Sequence, residues 1–137
     1  MTSKRDYELD RRVAEALGYK IEPAEWMIPD EMGENPQRAY YLADPQGNFV
    51  SVDSVYVSRL WWEVPRFSVD INEAIKLLDA LPDLWLLKKG IVLLPARQYI
   101  VEIYRPDGDG NMNVISSGRA YSPAVAICEA WLSYKYR

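Results

Sequence analysis

Histidine is absent from this chain of 137 residues. That one absence removes Ser-His-Asp and Cys-His catalysis, imidazole metal ligation and histidine acid–base work together. Cysteine occurs once, at Cys128, so no internal disulfide forms and a reducing compartment suits the chain. No Lys/Arg run exceeds two residues, and 16 Lys+Arg against 20 Asp+Glu leave a formal charge of −4. Proteins that hold long nucleic acid draw much of their affinity from phosphate neutralisation and carry a basic excess. Long DNA or RNA is therefore not expected as a partner, whereas a small anion needs only two or three arginines. The longest apolar run, Ile91 to Ala96, falls far short of the roughly 20 residues that span a bilayer. No basic, apolar leader opens the chain. The expectation is a soluble cytoplasmic protein with no membrane partner and no cofactor.

What is present is an ordinary globular composition, 49% hydrophobic and 26% charged. The length suits a single domain over residues 1–137, which at this size buries roughly 68% of its unfolded surface without a staple. Ser3, with Asp6 three residues on, marks a helix start, and Leu9, Val13, Ala16 and Leu17 form its apolar stripe. Gly18 ends it. A short strand is expected over Tyr19 to Ile21. Residues 22–37 hold Pro23, Pro29, Gly33 and Pro36 and read as an irregular loop anchored by Trp26 and Met27. The turn "DPQGN" joins a hairpin of Arg38–Ala43 and Phe49–Val55. A second helix over 69–80 takes Ser68 as cap, turns Ile71, Ala74, Ile75 and Leu78 inward, and stops before Pro82.

The second half alternates strands at 84–87, 91–94, 98–105 and 112–118, the last pair joined by "PDGDGN". Ser122 caps a third helix over 123–134 with Pro123 at its first position. No parallel βαβ alternation is visible. The pattern predicts an α+β fold, an antiparallel sheet sandwiched between helices.

Several groups invite a chemical reading. Cys128 shares a helix face with Ala124 and Trp131, and a thiolate nucleophile needs a base or cationic neighbour. Here it reads as a small buried hydrophobe. "DGDGN" begins like a calcium loop with Asp107, Asp109 and Asn111, but the sixth and twelfth positions are Met112 and Gly118, which suits a hairpin turn. The carboxylate pairs Asp79/Asp83 and Glu31/Glu34 read as solvated surface. No catalytic residues are expected, and the chain is not expected to be an enzyme.

Five tryptophans and ten tyrosines are a heavier load than packing requires, and several stand beside arginines. Aromatic faces stack bases at roughly 1–3 kcal/mol each, and guanidinium forks clamp phosphate. The candidate binding set is Arg119, Arg66, Arg97 and Arg105 for phosphate, and Trp61, Trp62, Phe67, Tyr104 and Tyr121 for stacking. Asn113 or Asn111 would read a base edge. Each pair also has the plainer reading of core and surface decoration.

Three phrases carry a resemblance. "YELDRRVAEALGYK" (7–20), "PRFSVDINEAIKLLDAL" (65–81) and "AYSPAVAICEAWL" (120–132) together resemble the phage ABA-sandwich domain family. The matching positions are Leu9, Asp10, Val13, Ala14, Glu15, Gly18 and Tyr19; Pro65, Phe67, Ser68, Asp70, Ile71 and Ala74; and Ala126, Ile127, Cys128 and Ala130. Glu129 departs from the family, where an arginine often follows the cysteine. The resemblance implies a sheet between helices and a phage or prophage origin, with the host cytoplasm as location. It further implies a kinship with anti-Thoeris sponges, which sequester cyclic ADP-ribose isomers or cyclic oligonucleotides without cleaving them. Holding such a signal at roughly nanomolar affinity, about −12 kcal/mol, needs an enclosed ligand, so a homo-oligomer is expected. The alternative is an accessory protein acting through protein–protein contacts at Trp61-Trp62.

Overall fold

The computed structural model describes residues 4–28, 37–53, 56–89 and 99–136, with the side chains of 25–28, 37 and 38 left undescribed. The expected strand at 91–94, the candidate Arg97, the cap Ser3, the pair Glu31/Glu34 and the anchoring side chains of Trp26 and Met27 lie outside what is described. The fold is α+β with antiparallel sheets and packed helices, as the sequence pattern predicts. The strands fall into two sheets of three. The chain divides into two compact units, Met1–Leu9 with Arg66–Arg137, and Asp10–Pro65.

The division runs through helix α1, Tyr7–Leu17. Asp6 itself starts this helix, its Oδ1 accepting the Leu9 N–H at 3.0 Å. The buried face is Leu9, Asp10, Val13 and Ala14, shifted from the expected stripe, whose Ala16 and Leu17 are only half-buried. At the end, Tyr19 N–H reaches Ala14 O at 3.0 Å and Gly18 N–H reaches Glu15 O at 3.1 Å. This paired closure requires a residue at positive φ, and Gly18 sits at +110°.

In the unit of residues 10–65, β1 (Lys20–Ile28), β2 (Gln37–Ala43) and β3 (Phe49–Asp53) form an antiparallel sheet in that order. The expected loop therefore begins later than proline content suggested: residues 22–28 continue the strand. Pro23 is tolerated because β1 is an edge, where a missing N–H breaks no ladder, and the register shifts between Pro23 and Met27. A 3-10 helix, Val57–Glu63, packs on β2 and β3 and buries Leu60.

In the other unit, β4 (Leu84–Lys89), β5 (Tyr99–Pro106) and β6 (Met112–Ala120) are antiparallel in sequence order. Helix α3, Pro123–Lys135, lies across β5 and β6, and α2, Ile71–Asp79, packs against α3. Ser122 caps α3 through the Val125 N–H at 3.2 Å, with Pro123 in the first turn, as expected. The cap of α2 is Asp70, accepting from Asn72 N–H at 3.0 Å. Ser68 is fully buried instead and accepts the Asp6 N–H at 2.9 Å. The inward face of α2 is Ala74, Leu77 and Leu78.

Both hairpin turns follow one plan. Asp44 and Asp107 each open a five-residue loop, accept two backbone N–H groups on Oδ1, and place Gly47 and Gly110 at φ +87° and +84°. This is a type I turn closed by a left-handed glycine.

The sheet and α3 meet backbone to backbone at Gly118. A Cβ there would overlap Ala126 O and Ala130 N. Nearby, Ser116 Oγ donates to Ala130 O at 2.7 Å. Gly118→Ala is expected to cost about 1–3 kcal/mol or more, since helix backbone cannot yield as a side chain can. Gly108→Ala, which meets nothing within 4 Å, should stay within about 0.5 kcal/mol. Urea denaturation of the two variants checks the contrast; equal midpoints would refute it.

Candidate functional site

The candidate binding residues fall in both units. Trp61 and Trp62 belong to the unit of residues 10–65, and Arg66, Phe67, Tyr104, Arg105, Asn113, Arg119 and Tyr121 to the other. Phe67 is 3% exposed, so its ring is core and offers no face to a base; its carbonyl accepts the Cys128 thiol at 3.4 Å. Cys128 is likewise buried, the small hydrophobe its helix face suggested. Arg66 is exposed, and its carbonyl accepts the Asp70 N–H at 2.8 Å in the turn before α2.

Arg105 is committed elsewhere. Its Nε and a terminal nitrogen grip both oxygens of Asp83 at 3.0 and 2.9 Å, and this hydrogen-bonded pair raises the guanidinium pKa further. Asp83 is therefore no solvated surface carboxylate, its side chain being only 7% exposed. Asp79 accepts Trp85 Nε1–H at 3.3 Å. Asn113 donates Nδ2–H to Asp107 at 3.3 Å, serving the turn.

Arg119 lies on β6 and not in the approach to α3. Gly118 and Ala120 face α3 and are buried, so alternation turns Ser117 and Arg119 to the other face of the sheet. That face also carries Lys88 and Glu102, which form an ion pair, and Tyr104. Lys88 holds the Glu102 carboxyl below its ordinary pKa, Tyr104 adds a hydrogen bond, and Arg119 contributes charge, against the opposing effect of burial. Arg119 pairs with Ile100 of β5, five residues from Arg105 on that strand, about 16 Å along a strand. They do not converge.

Three arrangements do bring chemistry together. The first is on the 3-10 helix. Arg59 lies 4.1 Å over the Tyr56 ring and 5.3 Å over the Trp62 ring. Tyr56 and Trp62 are 55% and 47% exposed. A 3-10 helix repeats every three residues, so positions i, i+3 and i+6 eclipse in one row. The row Tyr56-Arg59-Trp62 follows that period in "YVSRLWW", where adjacency pairs Arg59 with Trp61 and Trp62 and passes over Tyr56. Trp61 itself is half-buried and sits under Arg11 at 5.3 Å. Together with Glu15, Tyr19, Lys20 and Ile21 they line the second arrangement, an open groove of about 440 Å³.

The third is a groove of about 640 Å³ between β6 and α3, lined by Ser117, Gly118, Arg119, Ala120, Tyr121, Val125, Glu129 and Ser133. It joins Arg119 and Tyr121 from the candidate set. The α3 stripe at i, i+4 and i+8 had no signal of its own. Among the described residues no group of three or more His, Cys, Asp or Glu side chains is placed to hold a metal. Among the same residues no helix is long and apolar enough to cross a membrane.

No family model and no curated protein matches the chain. Among solved structures, the fold is similar to that of a phage protein from Bacillus cereus ATCC 14579. The TM-score is 0.50 at 16% identity, covering 97% of this chain and 94% of that one. The likeness is one of fold.

The Asp107 carboxyl is held below its ordinary pKa by the Asn111 and Asp109 backbone N–H groups. A depressed carboxylate stabilises the fold above its unfolded pKa and ceases to do so as pH falls through the folded value. Asp107→Ala should thus lower Tm at neutral pH, with the two melting curves converging as the pH falls below the ordinary aspartate value of about 3.9. A gap that persists unchanged at low pH would show that the carboxylate charge is irrelevant.

Proposed function

We propose that the protein is a phage accessory protein that acts by binding another protein, with the Tyr56-Arg59-Trp62 row as its docking surface. It performs no chemistry of its own. The observation that carries this is the exposure of two large rings clamped on one guanidinium. Binding hot spots are enriched in Trp, Tyr and Arg, and the cation–π contacts, about 0.5–1 kcal/mol each at exposed sites, hold the row in one conformation before a partner arrives. Less ordering entropy is then lost on association. The missing histidine and the buried cysteine support a non-enzymatic role. The fold likeness to a phage protein supports the phage setting.

A second reading has one observation behind it. Arg119 and Tyr121 line the groove beside α3, a pairing suited to a phosphate and a base of a cyclic nucleotide such as a cyclic ADP-ribose isomer. The groove is open, so tight sequestration would call for a second copy to close it.

Cross-linking in host lysate followed by biosensor titration of the purified partner tests the first reading. Trp62→Ala should weaken binding by about 30-fold or more, roughly the 2 kcal/mol of a hot spot, with an unchanged far-UV spectrum. Wild-type affinity in both the Trp62→Ala and Arg59→Ala variants would refute it. Thermal shift with cyclic ADP-ribose isomers and cyclic oligonucleotides tests the second. A shift abolished by Arg119→Ala, with ligand recovered intact after heating, would favour sequestration.

A further inference from the structure

We infer that the open edge of β6, walled by α3, is a slot for an extended peptide. Its side chains turned to α3 would include a basic residue, and those on its other face an acidic one. Among the described residues β6 has β5 on one side and no strand on the other. An edge strand presents a row of unpaired N–H and C=O groups, and native proteins guard such rows with charge, proline or short length. The opposite edge, β4, is guarded: six residues ending in Lys88 and Lys89. The β6 edge is nine residues long, holds no proline and carries a single charge, Arg119. It is the edge built to pair.

The space beside it has the matching shape. The groove follows Ser117 to Ala120 of β6 and Tyr121 just beyond it, and its far wall is one stripe of α3, Val125, Glu129 and Ser133. Gly118 lets the helix backbone approach the strand, which keeps that wall within reach of an added strand's side chains. Four strand residues extend about 13 Å, so the slot matches a short extended segment. Strand addition of this kind takes affinity from main-chain hydrogen bonds and specificity from alternate side-chain contacts.

Charge selects the occupant. On the α3 side the ionisable group is Glu129, which favours Lys or Arg. On the other face Arg119 favours Asp or Glu. Strand alternation puts those two demands on neighbouring residues of one peptide. The same charges disfavour a second copy pairing edge to edge. Glu129 Cβ lies against Gly118, so a two-fold axis at Gly118 would bring two Glu129 side chains toward each other, and an axis at Arg119 would oppose two guanidiniums.

The probe is a capped peptide, Val-Glu-Lys-Thr-Val-Glu-Lys-Thr, compared with its Lys/Glu-exchanged counterpart and with a version N-methylated along the pairing edge. Backbone amide shifts of residues 117–121 and peptide anisotropy report binding. The parent should perturb those amides, and both altered peptides should bind at least about tenfold more weakly. Glu129→Lys should reduce this preference for the parent over the exchanged peptide, a readout that does not depend on any variant's stability. No perturbation by the parent at millimolar concentration, or N-methylation without effect, overturns the proposal. So does a dimer that protects the β6 amides from exchange, or perturbation of those amides by a cyclic nucleotide and by no peptide.

Discussion

The contact on which the unit of residues 66–137 depends is the approach of α3 to β6 at Gly118, where strand backbone meets helix backbone. Only a stretch without side chains permits it, and the facing positions are accordingly Gly118, Ala120, Ala126 and Ala130, all buried. Nearness there places the rest of the helix. With its alanine stripe against the sheet, α3 turns Cys128 toward the 66–70 turn, where the thiol finds the Phe67 carbonyl. That turn presents Ser68 to the Asp6 N–H, and so the start of α1 is tied down by a chain of contacts that begins at one glycine. Larger residues at any of these positions would separate the layers and strand buried polar groups such as Ser68, which costs more than the lost packing alone.

The same economy explains why the candidate sites lie where they do. The core takes small residues at its closest approach and uses Ile127, Trp131 and Leu132 on the remaining helix faces. The candidates are surface features: a row of rings on a 3-10 helix and a strand edge beside a helix. Both arise where a regular backbone ladder stops and polar main-chain groups or unpacked rings face solvent, open to a partner.

Local signals in the sequence held up well because they are decided within a few residues. Ser122 with Pro123, the glycine stop at Gly18, and the two Asp-x-x-Gly-Asn turns each satisfy backbone groups that no distant residue competes for. Cys128 was legible from its helix face. Where two residues could serve, distance decided. Ser68 and Asp70 both could cap α2, and the Asp6 N–H took Ser68 out of contention. Prolines misled over residues 22–28, since Pro23 disqualifies a central strand but not an edge. Arg105 looked like a phosphate ligand because its partner Asp83 stands 22 residues away.

The larger error concerned neighbours in sequence. Reading Tyr104-Arg105 or Arg66-Phe67 as a unit assumes that adjacent side chains share a direction. On a strand they point to opposite faces, and Tyr104 accordingly meets Glu102 while Arg105 meets Asp83. In the turn before α2, Phe67 goes inward while Arg66 stays out. Convergence of a ring and a cation follows the period of the local backbone. Spacing three on the 3-10 helix joins Tyr56, Arg59 and Trp62, and spacing four on α3 joins Trp131 and Lys135. An aromatic-rich sequence therefore advertises a binding surface where its rings recur at the repeat of the element that carries them, and the 3-10 row is an exposed instance.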